Sequence, residues 1–412
     1  MKKRVVITGL GVVSPIGIGI KEVTTALMEG KSGANTLTKF DTNGFTTQFA
    51  CEVKNFVAEN YFDKKKARRM DMFVQFAVAA AKMAVEDSKL DVSKENPDRI
   101  GVIIGSGIGG LSTIEAEVKV LSEKGPRRVS PFLIPMQIIN MASGEIAIEQ
   151  GFTGPNYGVV SACASANNAM GDALRLIRYG DADVIITGGT ESAITQLGLA
   201  GFCSARALSQ RNDDPTKASR PFDKNRDGFV MGEGSGMIVL ETLEHAQARG
   251  AKIYAEFIGY GATDDAFHMT APHPDAKFAI KAMQRAIEDS GISPDDIDYI
   301  NAHGTSTDLN DKIETMAIKN VFGERAYKIP ISSTKSMTGH LLGAAGAMEL
   351  IAILICMENG FIHPTINYET PDPECDLDYV PNTLRKAQIN CALSNSLGFG
   401  GHNAVIIVKR FK

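Results

Sequence analysis

Short apolar runs rich in β-branched residues alternate with helical patterns along the whole chain: Val5 to Thr8, Ile100 to Ile104, Val184 to Thr187, Met237 to Leu240, Ile253 to Gly259, Tyr299 to Ala302 and Ala404 to Val408. Such runs describe buried strands, and the helices between them are what cover the strand faces. The alternation predicts an α/β protein with helix-covered sheets. At 412 residues the chain reads more naturally as two halves than as one core. We place them at residues 1–250 and 251–412, since a second series of strands and helices begins near Tyr254. The halves show no close repeat, yet share a plan of opening strand, helices and a catalytic-looking turn after a strand.

Within that frame, Met72 to Val85 carries Phe73, Phe76, Ala77, Ala80 and Ala84 on one helical face. The longest apolar run, Leu341 to Met357, contains Glu349 and is short for a membrane span, so it predicts a buried helix and no membrane insertion. The opening Met1-Lys2-Lys3-Arg4 with Val5 to Gly9 resembles a signal peptide, but Gly9, Gly11, Pro15 and Gly17 interrupt it, predicting a first strand that enters a turn. Basic and acidic residues number 43 and 48, for a net charge of -5, which gives no global field for nucleic acid. The six cysteines (51, 163, 203, 356, 375 and 391) form no CxxC pair, so neither a disulfide framework nor a zinc site is expected, and a cytoplasmic setting is.

The chemistry centres on Val159 to Ala166. Tyr157 to Ala162 reads as a buried strand, and Ala169, Met170, Ala173, Leu174 and Ile177 recur at helical spacing up to Gly180. Cys163 lies between them. A thiol in the first turn of a helix meets unpaired backbone N–H groups at the positive end of the dipole, which favours the thiolate. The plainer alternative is a small core residue.

Several local motifs compete. Gly105-Ser106-Gly107-Ile108-Gly109-Gly110 fits G-x-G-x-x-G after a strand, but no acid-terminated second strand follows, so a tight turn with close backbone approach is preferred to a dinucleotide site. Asp223 to Gly228 begins like a calcium loop but has Gly234 at the twelfth position, and Met231 to Gly236 lacks the Lys-Ser/Thr of a phosphate loop. The polar stretch between Arg211 and Asp227 reads as a long loop. In the second half, His303 ends the Tyr299 to Ala302 strand, and His340 leads into the apolar helix, whose N-terminus would keep it neutral. Glu349 needs a partner among its apolar neighbours, and Lys335 is the candidate. Ser394 to Asn403 is a glycine-rich turn carrying Phe399. A cysteine protease and a metal centre are weighed against acyl transfer; the setting is unlike the former, and the sequence separation of Cys163, His303 and His340 argues against the latter. A thiolate that holds an acyl group beside neutral histidines that stabilise an enolate suits carbon–carbon bond formation.

Ala162-Cys163-Ala164, His303-Gly304-Thr305-Ser306-Thr307, Lys335 to His340 and Gly398-Phe399-Gly400-Gly401, in this order, resemble the signature motifs of the β-ketoacyl-acyl-carrier-protein synthases. The resemblance runs from Arg4 to Lys409 and is strongest to the elongating type II branch. It implies a thiolase-like fold, two pseudo-repeated βαβ-rich halves in a five-layered αβαβα core, and a homodimer. It implies that Cys163 takes the acyl chain and that His303 and His340 act on malonyl thioester. Lys335 and Glu349 would hold those histidines, and the Cys163 and Phe399 N–H groups would form an oxyanion hole. Phe399 would also act as a gate, Ile108 and Phe202 would flank the acyl pocket, and Thr305, Thr307 and Gly400 would meet substrate. Acyl carrier protein, in acyl and malonyl forms, would dock on Lys65, Arg68, Arg69, Arg127 and Arg206 and bring its own phosphopantetheine. No other cofactor is required and no metal site is assigned, although a structural monovalent cation near Glu349 and Asn301 stays open. Ser161 stands where threonine is more usual and Asp308 where proline often is. Three alternatives accompany this reading: a ketosynthase of a specialised polyketide or polyene pathway, a non-catalytic partner subunit, and a degradative thiolase, for which Cys391 would have to supply a second catalytic thiol.

Overall fold

The computed structural model describes residues 2–412. Its principal strands are β1 Val5–Ser14, β2 Ile100–Gly105, β3 Asn156–Val159, β4 Val184–Glu191, β5 Gly234–Thr242, β6 Ala255–Asp264, β7 Tyr299–Asn301, β8 Ile331–Ser332, β9 Cys391–Gly398 and β10 His402–Lys409. They lie side by side in the order β8-β7-β9-β10-β6-β1-β5-β4-β2-β3. Counted outward from the β1/β6 junction, each half presents its own first, fifth, fourth, second and third strand. The two halves therefore share one topology, joined where Val6 faces Glu256 and Ile7 faces Ala255.

The layers follow from residue alternation along the strands. Val102 and Ile104 of β2 face outward onto helices α1 (Met72–Ser88) and α3 (Met141–Gln150), between which α2 (Leu111–Lys124) lies in sequence, whereas Ile103 faces inward. The inner layer holds α4 (Ser165–Tyr179) and α7 (Ala345–Asn359), which pack between the N-terminal and C-terminal sheets. On the far side Leu393, Val405 and Ile407 pack outward against α5 (Lys277–Ser290) and α6 (Asp308–Phe322). The resulting αβαβα order is the five-layered thiolase-like arrangement. The segment Leu342–Asn359 has the length and hydropathy of a membrane span, but 89% of it is buried between the sheets.

Several local expectations change. The first strand enters a turn as expected, at Pro15 and Ile16, but runs well past Thr8 before it does. It continues to Ser14, because α1 crosses so closely that a Cβ on Gly9 would lie 2.2 Å from the Ala84 carbonyl oxygen, and one on Gly11 1.9 Å from that of Ala80. The strand before the cysteine ends at Val159, and Ala162, at φ 50°, opens a 3₁₀ turn over Ala162–Ala164. The Arg211–Asp227 stretch is the long loop expected, but part of it is buried: Arg220 and Arg226 are inside and pair with Asp223 and Asp372.

Candidate active site

Four chain turns converge on one cavity of about 670 Å³. The turn between β3 and α4 contributes Cys163, the end of β7 contributes His303, the segment before α7 contributes His340, and the β9–β10 hairpin contributes Phe399. Ile108, Phe202, Thr305, Thr307 and Arg206 line the same space. Gly400 does not; its N–H donates to the Met269 carbonyl at 2.8 Å. Phe399 is 39% exposed and stands in the mouth of the cavity.

His340 Nε2 lies 3.1 Å from the Cys163 sulfur, and the two histidine rings meet edge-on with centroids 5.3 Å apart. The tautomers follow from the neighbours of each Nδ1. The Leu342 N–H donates to His340 Nδ1 at 3.2 Å, and the Lys335 ammonium, which can only donate, faces His303 Nδ1 at 3.3 Å. Each ring is thereby left with its proton on Nε2. Burial, followed by the Lys335 charge, pushes both imidazoles well below their ordinary value, so both are neutral donors. A helix dipole is not the cause, because a 3₁₀ turn, Leu342–Ala344, separates His340 from α7.

Cys163 departs from the thiolate expected of a helix terminus. Burial raises its thiol to about 11, outweighing the Lys335 charge and the Phe399 N–H, which both pull it down. Its turn precedes the helix proper, which limits the help it receives from the dipole. The Gly398–Phe399 backbone passes close to the cysteine turn: a Cβ on Gly398 would lie 3.1 Å from the Cys163 nitrogen.

Behind the histidines, Lys335 and Glu349 form a buried ion pair. Glu349 Oε2 is left without a hydrogen-bond partner, as are Asn301 Oδ1, Ser394 Oγ and Asn395 Oδ1. Asn301 and Ser394 sit opposite each other in the sheet register.

Sequence reasoning missed two carboxylates. Glu314, on α6, accepts the His303 and Gly304 N–H groups, both at 2.8 Å, and burial raises it to about 7. Its immediate sequence neighbours, Asp308 to Thr315, are mostly polar and give no sign of burial. Glu191, at the end of β4, accepts the N–H groups of Gly107, Ile108 and Gly109. The G-x-G-x-x-G segment is a turn of close backbone approach, and its N–H groups form a nest around a carboxylate of the protein itself.

The metal argument from sequence separation does not hold in space. Ligand atoms of Cys163, His303 and His340 lie within 4.8 Å of one another, though the Lys335 cation beside His303 disfavours a further cation there. Cys391 is buried at the start of β9 and does not line the cavity, so it offers no second catalytic thiol. Among the basic residues, Lys65, Arg68, Arg69, Arg127 and Arg206 are exposed, whereas Lys66 pairs with Glu149. Arg69 lies over the Phe132 ring at 4.7 Å, and only Arg206 of this set reaches the cavity lining.

Comparisons with known proteins agree with this geometry. The model of the beta-ketoacyl synthase N-terminal domain matches residues 2–246, and that of the C-terminal domain matches residues 254–369. Proteins named 3-oxoacyl-acyl-carrier-protein synthase 2 from Synechocystis and Staphylococcus aureus are 55% and 54% identical, covering 100% of this chain and 99% of theirs. A beta-ketoacyl synthase from Burkholderia phymatum superposes with a TM-score of 0.93 at 36% identity, each chain covered completely. A type II polyketide ketosynthase, solved with its acyl carrier protein and bound to a hexaketide, does so with 0.92 at 37% identity, again over both whole chains.

Proposed function

This chain belongs to the beta-ketoacyl synthase family, and we propose that it is an elongating 3-oxoacyl-acyl-carrier-protein synthase. It is an acyltransferase that lengthens fatty acyl chains by two carbons through decarboxylative condensation. The observation that carries the mechanism is the pair of neutral Nε2–H donors aimed into the cavity beside Cys163.

In the first half-reaction the Cys163 sulfur attacks the thioester carbonyl of the acyl carrier protein. The carrier's pantetheine sulfur leaves and takes up the thiol proton. The Cys163 and Phe399 N–H groups stabilise the tetrahedral oxyanion, a contribution of about 3 kcal/mol for each donor removed. In the second, His303 and His340 donate to the thioester carbonyl of malonyl carrier protein. Carbon dioxide departs, and the electron pair stays as an enolate held by those two hydrogen bonds. Its carbon attacks the Cys163 thioester, and the cysteine leaves as a thiolate that takes up a proton. Neutral histidines suit this step, because an imidazolium would bind the malonyl carboxylate and oppose its loss. Lys335 and Glu349 fix the His303 tautomer and take no direct part.

Thr305 and Thr307, joined by a 2.9 Å hydroxyl contact, meet the pantetheine arm, and Ile108 with Phe202 bounds the acyl chain. The carrier protein docks on Lys65, Arg68, Arg69, Arg127 and Arg206. Support for a homodimer comes from β3, an unpaired sheet edge with Tyr157 and Val160 exposed beside it, and from the exposed apolar Val118, Leu121 and Ile134. A cytoplasmic location fits six unpaired cysteines. A structural monovalent cation fits the unpartnered oxygens of Asn301, Ser394 and Glu349, an all-oxygen set in which it would offset the carboxylate charge and hold Glu349 in place.

A condensation assay with malonyl carrier protein and acyl carrier proteins of graded length, read as 3-oxoacyl products, tests the assignment. Product with saturated acceptors over a range of lengths supports it. Product only with coenzyme A esters, or none with any saturated acceptor, contradicts it.

A further inference from the structure

Glu191 is buried at the end of β4, and its carboxylate accepts from the Ser106 hydroxyl at 3.0 Å and from four backbone N–H groups: Gly107 at 2.7 Å, Ile108 at 3.1 Å, Gly109 at 3.3 Å and Gly343 at 3.0 Å. No lysine, arginine or histidine pairs with it among the described residues. A carboxylate held by five donors and no counter-ion is anchored by oriented dipoles alone, so its position and theirs are fixed together.

Those donors belong to two separate walls of the cavity. Four come from the turn centred on Ile108, the Ser106 hydroxyl and three backbone N–H groups. The fourth backbone donor, Gly343, follows Leu342, whose own N–H sets the His340 tautomer. The two walls meet backbone to backbone: a Cβ on Gly343 would lie 2.3 Å from the Gly107 nitrogen and 2.7 Å from Glu191 Oε2. Ile108 and Leu342 both line the cavity.

We propose that Glu191 is a positioning residue that locks the Ile108 wall of the acyl pocket to the His340 segment, so that acyl-chain discrimination depends on this carboxylate. The proposal rests on the condensing reading of the site. Glu191 touches neither substrate nor nucleophile in the role assigned to it. It acts through the two walls it joins.

The test compares the full-length wild type with Glu191→Gln and Ser106→Ala. It reads kcat/KM over a series of short to long acyl carrier proteins, the rate of malonyl decarboxylation, and the melting temperature. Glutamine turns an NH₂ group toward backbone N–H donors, and the Ile108 turn should be released. The expected result is a change of about fivefold or more in the long-to-short ratio of kcat/KM, with slower decarboxylation. Ser106→Ala removes one donor and keeps the carboxylate, so it should shift the ratio the same way by about twofold with little change in melting temperature. A purely structural role would lower all rates in proportion, and unchanged ratios in both variants overturn the proposal. Should Glu191→Gln fail to fold, the Ser106→Ala ratio decides. A wild type that yields no 3-oxoacyl product overturns the condensing reading itself. Wild-type product with unaltered variant ratios overturns only the role of Glu191.

Discussion

Lys335 Nζ stands 3.3 Å from His303 Nδ1 while its charge is paired with buried Glu349. One ammonium thus fixes a tautomer on one side and neutralises a carboxylate on the other. Lys335→Met should leave Glu349 buried and unpaired, at a cost of about 3–5 kcal/mol of stability. Adding Glu349→Leu should restore most of that stability without restoring decarboxylation, because the His303 tautomer is then unassigned. Chemical denaturation and decarboxylation assays on both variants check this. Recovery of both properties together would show that Lys335 serves only the fold.

The two histidines should separate the half-reactions. His303→Ala and His340→Ala each remove one donor to the enolate, and malonyl decarboxylation should fall about 10²-fold or more. Acylation of Cys163 should fall far less, since the oxyanion donors are backbone groups. Rapid-quench measurement of each half-reaction gives the comparison, and equal losses in both would contradict the division.

Because burial raises the Cys163 thiol to about 11, the unliganded enzyme carries little thiolate near neutrality. Raising the pH through the ordinary thiol range should therefore keep increasing the rate of alkylation by iodoacetamide, ~tenfold per pH unit, without a plateau near 9. A plateau below pH 7 would mean that the turn and Lys335 outweigh burial.

Reversing the exposed charges in Arg68→Glu and Arg69→Glu should raise the KM for carrier protein about tenfold at low salt and leave kcat nearly unchanged, with the effect shrinking as salt is added. An unchanged KM would move the docking surface elsewhere.

What could be read from the sequence was local. Cys163, His303 and His340 each sit at the border between an apolar run and a glycine- or hydroxyl-rich turn, a pattern visible within ten residues. Glu191 and Glu314 left no such mark: Glu191 binds backbone amides distant in sequence, Glu314 reaches back across a turn to His303 and Gly304, and any polar residue looks solvated in a linear text. Gly9 and Gly11 hid the length of the first strand for a related reason: glycine permits a turn and also permits a helix to cross a strand at contact distance, and only the position of Ala80 and Ala84 distinguishes the two. The common plan of the halves was legible, but their strand order was not, because order in a sheet is set by burial pattern and survives sequence divergence.

The most direct test of the central claim is the mass of the intact protein after exposure to acyl carrier protein, and again after adding malonyl carrier protein. The account predicts an acyl adduct on Cys163 alone, discharged on the second addition into a 3-oxoacyl product two carbons longer, with release of carbon dioxide. An adduct on another residue, or condensation by the Cys163→Ala variant, would contradict it.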